Sequence, residues 1–119
     1  MKGIYLTLLI ALPINISSAG IVDDMGSYVG YTIVAVKKIA GYRDSGGKRA
    51  DEFEGCEYGR TILFDDGTGL TCSGYHYHYK YHPSALLLMR SSEFQGNRIA
   101  SVVMIVDDEA YDMSSIVLR

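Results

Sequence analysis

The chain predicts an all-β domain, a small antiparallel barrel or open sandwich of about six strands with one disulfide. Three observations lead there. Runs rich in β-branched residues recur between turns built from Gly, Asp and Ser. No long segment sustains apolar residues at spacings of three and four, so evidence for helix is thin. Cys56 and Cys72 are the only cysteines; joined, they close a loop worth ~3 kcal/mol in the chain-entropy account.

Residues 1–19 read as a signal peptide. Lys2 supplies a positive charge, Ile4 to Leu12 form an apolar run short for a bilayer span, and Pro13 breaks it. Ser17 and Ala19 fit a small-x-small cleavage pattern, which places the cut after Ala19. No cysteine lies near the leader to take a lipid. Ala100 to Val106 is too short for a membrane span and ends in Asp107-Asp108. Residues 20–119 then form a single small β domain, exported to a periplasm or secreted, where the two cysteines meet oxidising conditions. A redox pair is disfavoured, since the spacing is not Cys-x-x-Cys.

Within that domain Tyr31 to Ile39 is the first expected strand, because it is dense in Val and Ile. Gly41 to Gly55 mixes glycines with charges and reads as the longest loop. Arg60 to Phe64 and Leu70 to Tyr81 flank Asp65-Asp66-Gly67-Thr68-Gly69, and Asp-Gly between two β-like runs signals a hairpin. Pro83 cannot donate to a ladder, so the second of these strands should end or bend there. Ala85 to Met89, Ile99 to Val106 and Ser115 to Leu118 complete the set. The last could serve as an edge through which two copies pair.

Glu52-Phe53-Glu54-Gly55 is echoed by Glu93-Phe94-Gln95-Gly96, and each precedes a strand ending in paired aspartates. Duplication would explain the echo. So would the habit of short strands to end in Asp-rich turns, where the carboxylate satisfies turn amides. The three Asp pairs, Asp23-Asp24 included, lack the Asp-x-Asp-x-Asp-Gly pattern of a calcium loop and read as surface acid.

One segment stands apart. Tyr75-His76-Tyr77-His78-Tyr79-Lys80-Tyr81-His82 alternates strictly. An extended backbone sends successive side chains to opposite faces. Tyr75, Tyr77, Tyr79 and Tyr81 therefore share one face; His76, His78, Lys80 and His82, with every histidine of the chain, share the other. Burying an unpaired lysine is costly, which favours tyrosines inward with their hydroxyls at a barrel rim. Turned outward, the same tyrosines would be an aromatic platform. His76 and His78, two residues apart, could chelate zinc or copper if another strand supplied an acidic ligand. Lys80 would oppose the cation, and four residues of extended chain carry His82 ~13 Å from His78. A loose response to pH near the histidine range is a further possibility.

The composition excludes several classes. The net charge is −3, which disfavours nucleic acid as a partner. Lys37, Lys38, Arg43, Lys48, Arg49 and Arg60 lean toward the first half but are interspersed with acids, so an anionic ligand there is a minor expectation. There is no Gly-x-Ser-x-Gly elbow and no phosphate-binding loop. The chain is thus expected to be not an enzyme but a binding module, most simply for another protein, as an inhibitor, an immunity-type neutraliser or an envelope interaction protein. A transition-metal binder is the alternative, and a small enzyme of unknown reaction the third. Arg43 and Tyr58 join the four tyrosines as expected anchors, since Arg and Tyr are enriched at interface hot spots.

Overall fold

The computed structural model describes residues 18–117. The described residues fall into two units that meet between Gly30 and Tyr31. In the first, the described part is helix α1 (Ser18–Gly26) and the turn after it, where the Ser27 and Tyr28 amides donate to the Asp24 and Met25 carbonyls. The expected apolar run of the leader, residues 4–12, lies outside the described residues. Of the expected cleavage site, Ser18 and Ala19 open α1. Asp23-Asp24 sits within this helix, exposed, and not in a turn. No helix among the described residues is long and apolar enough to cross a membrane.

The second unit is built of antiparallel strands. These are β1 (Thr32–Arg43), β2 (Arg49–Ala50), β3 (Thr61–Phe64), β4 (Gly69–Thr71), β5 (Ser84–Phe94), β6 (Asn97–Val106) and β7 (Glu109–Val117). Their order in the sheet is β4-β3-β1-β5-β6-β7, with β2 also on β1. β1 is the shared strand. Its first half pairs with β5, from Thr32↔Met89 to Lys38↔Ser84; its second half pairs with β3, from Ile39↔Phe64 to Arg43↔Thr61. A register shift between Ile39 and Gly41 marks a bulge, and a bulge bends its strand. Gly41 allows the bend to be crowded: a Cβ there would lie 2.1 Å from the Ala50 carbonyl oxygen.

The curl brings the far ends together. Cys72 bridges to Met113, and the Ser73 amide and hydroxyl both donate to the Asp112 carbonyl. The result is a half-barrel, as the composition led one to expect. Its core is Ile39, Tyr42, Phe53, Ile62, Phe64, Ala85, Leu87, Val102, Met104, Val106, Tyr111 and Met113, with the two cysteines. The expected disulfide is present: Cys56 and Cys72 are bonded, their Cα atoms 5.7 Å apart.

Two expectations about elements need correction. The long loop at Gly41–Gly55 is largely a β1–β2 hairpin, its turn tied by Asp44 N–H to Lys48 C=O and Gly47 N–H to Asp44 C=O. The run Leu70 to Tyr81 is not one strand: β4 ends at Thr71, and beyond it backbone pairing is reduced to isolated bridges at Cys72, His76 and Lys80. The echo between the two Glu-Phe-Glu/Gln-Gly segments carries no structural equivalence, in line with its reading as turn habit: Phe53 is fully buried, whereas Phe94 is exposed at the β5–β6 turn. The turn at Asp65–Gly67 forms the β3–β4 hairpin as expected, with the Asp66 carboxylate accepting from the Thr68 amide. The final strand is longer than expected and begins at Glu109; Leu118 lies outside the described residues.

Candidate functional site

Residues 75–82 form an extended strap laid antiparallel to residues 53–56. Amide and carbonyl of His76 pair with those of Cys56, and amide and carbonyl of Lys80 with those of Phe53. Gly55 lies where the two segments touch. Its φ is +82°, and a Cβ there would stand 2.1 Å from the His76 carbonyl oxygen and 2.7 Å from the His78 nitrogen. Only glycine combines that backbone with that approach. At the far end His82 turns the chain with φ +44°, and Pro83 follows as foreseen, its carbonyl accepting from the Ile39 amide.

The strap's alternation survives, but its faces are reversed from the expectation. Tyr75, Tyr77, Tyr79 and Tyr81 are 50–68% exposed. The histidine and lysine side chains turn toward the sheet. His76 Nε2 lies 2.8 Å from Glu109 Oε1, and its ring meets Tyr111 edge-on at 5.5 Å. His78 Nε2 is 2.9 Å from Asp107 Oδ2, and its ring is edge-on to Phe53. Lys80 Nζ is 3.6 Å from the other Asp107 oxygen, and His82 bonds the Asp51 carbonyl. The reversal has two physical causes. The interior is already occupied by other rings, Tyr42, Phe53 and Tyr111 among them. The penalty expected for inward Lys80 does not arise, since the side chain stays half exposed and has Asp107 beside it.

The acidic groups of this face lie in and after the β6–β7 turn, Asp107 with φ +56°. The hydrogen bond from His78, aided by Lys80, holds the Asp107 carboxyl below the usual carboxylate range. Burial pushes the Tyr111 hydroxyl well above its ordinary value, and it has no hydrogen-bond partner among the described residues. On the outward face the Tyr79 hydroxyl donates to Glu52 at 3.0 Å, which raises its own pKa. Glu54 adds a second negative charge nearby.

The segment under the strap is itself anchored. Arg60 is buried, 2.6 Å from Asp44 and 3.2 Å from Glu57; it donates to the Gly55 carbonyl and its guanidinium covers the Tyr42 ring at 3.8 Å. The hydrogen bond from Arg60 lowers the Asp44 pKa. The disulfide fixes the same segment at Cys56.

His76 and His78 therefore each face a separate carboxylate. Among the described residues no three His, Cys, Asp or Glu side chains converge to hold a metal ion. Arg43 and Tyr58 are exposed, as a contact residue must be, but neither is part of the strap. Asp107, Glu109 and Gly55 were not foreseen as site residues. The acidic run Asp107-Asp108-Glu109 was the available signal, being the complement of a His/Lys face. Comparison with protein-family models, curated proteins and solved structures finds no match.

Proposed function

We propose that this chain is an exported binding module that recognises another protein through the outward face of the strap. The observation that carries the reading is the exposure of four tyrosines on a backbone held from its opposite face. Tyrosine offers large contact area for little lost side-chain freedom, and a platform already held in place loses less entropy on binding. The chemistry of the partner follows from the surroundings. Glu52 and Glu54 stand beside Tyr79, and the chain is acidic overall. Ring faces and carboxylates together suit Arg and Lys, so the partner is a protein presenting a basic face. A partner of that kind fits an inhibitor, an immunity-type neutraliser or an envelope interaction protein.

The test is a pull-down from the source's own extract with the oxidised chain immobilised, beside a Tyr75→Ala/Tyr77→Ala variant. The expected result is a basic protein retained by the wild type and released by added salt. Its affinity should fall about tenfold or more in the variant, with the melting temperature unchanged. Equal retention by the two would reject the strap as the binding face.

A further inference from the structure

The first half of β1 is paired on one side only. Among the described residues, β5 runs along one side of Thr32–Lys38, and β3 occupies the other side only from Ile39 onward. The Asp65 amide donates to the Lys38 carbonyl and closes that second side there. Thr32 to Lys37 is left as an open edge, and such edges pair readily with another strand unless charge or proline blunts them. Here the edge is aliphatic: Ile33 is 64% exposed, Val36 66%, and Val34 lies between them, also exposed.

A bulge arranges these side chains. Ile33 stands opposite Leu88 and Ala35 opposite Leu87, so Val34 is an extra residue in β1. Ile33 and Val36 consequently share a face, since their partners Leu88 and Leu86 are two residues apart on β5. It is the outer face, because Leu87 between those partners belongs to the core. Each of the two residues ends an aliphatic row across the sheet, Val36–Leu86–Ile105 and Ile33–Leu88–Val103.

We propose that two copies of this chain pair antiparallel along this edge, about a twofold axis between Val34 and Ala35. The order of residues selects a second copy as the occupant. That axis sets Ile33 opposite Val36 of the second copy and Val36 opposite its Ile33, so each row of one copy continues into the other row of its partner. Lys37 falls opposite Thr32 of the second copy, and its ammonium is already held 2.8 Å from Asp66. No like charges meet, whereas parallel pairing in register would set the two Lys37 side chains together. A single strand edge is a small interface, so the dimer is weak, with a dissociation constant in the micromolar range. The strap takes no part, and the proposal stands or falls independently of its recognition of a partner protein.

The experiment is sedimentation equilibrium of the disulfide-bonded full chain over a range of concentrations. The wild type should show a monomer–dimer equilibrium, and amide exchange at residues 32–37 should slow as concentration rises. Ile33→Lys and Val36→Glu should each weaken the dimer about tenfold or more. Combined, they place Lys opposite Glu twice across the axis, and the double variant should recover most of the loss. Both positions are exposed, so in dilute solution each variant should melt within about 3 °C of the wild type. A wild type that stays monomeric at every concentration overturns the proposal. So does a dimer that both single variants leave intact, as one through β7 would be, or a double variant as weak as the singles.

Discussion

Gly55 shows how far one residue can govern the site. Its positive φ and the 2.1 Å gap to the His76 carbonyl mean that any side chain must push the strap away or distort the disulfide-bonded segment below. Gly55→Ala is expected to lose about 2–4 kcal/mol. Urea denaturation would measure it, and faster amide exchange at His76 and Lys80 would locate it. A loss below about 0.5 kcal/mol, the range of an ordinary surface substitution, would mean that the close approach is not maintained in solution. Nothing in the sequence singled out this glycine, because the crowding is made by residues twenty positions later. Cys56 and Cys72 were legible for the opposite reason: two cysteines leave one intramolecular pairing.

The strap is the element whose fate differed most from its sequence pattern. Alternation gave the two faces correctly, since any extended chain has them. It could not tell which face meets the sheet, because that depends on where the acids and the large core rings lie. Nor could it tell a paired strand from a segment with backbone partners only at His76 and Lys80. The compact strands were easier. β3 and β6 fell within one or two residues of expectation, because β-branched runs bounded by turn residues leave few alternatives. The anchoring of the strap implies a response to acid. The Asp107 carboxyl, bonded to His78, has a folded pKa below its unfolded value of 3.8. Its contribution is therefore complete above about pH 4 and disappears as pH falls through the lower folded value. Asp44 behaves likewise beside Arg60. Amide exchange at His76 and Lys80 should accelerate as pH drops from 4 toward 2, after correction for the intrinsic rate. Asp107→Asn should flatten that dependence, and an unchanged profile would show that the strap is held without this pair.

At the scale of the whole molecule, the half-barrel closes through little more than the contacts of Cys72 and Ser73 with β7. The disulfide therefore braces the closure as well as the segment beneath the strap. Replacing both cysteines with serine should cost ~3 kcal/mol, read as a lower urea midpoint, and should free the Ser73 amide first. A midpoint unchanged on replacement would place the closure's stability elsewhere. The same molecule separates its mount from its display. His76, His78 and Lys80 grip the body of the domain, and the residues between them meet only the outside, apart from the hydroxyl of Tyr79 and the ring of Tyr81 stacked on His82. Substitutions at 75 and 77 can thus accumulate with little effect on folding, so a lineage carrying this chain is free to vary that outward surface while inheriting the scaffold intact.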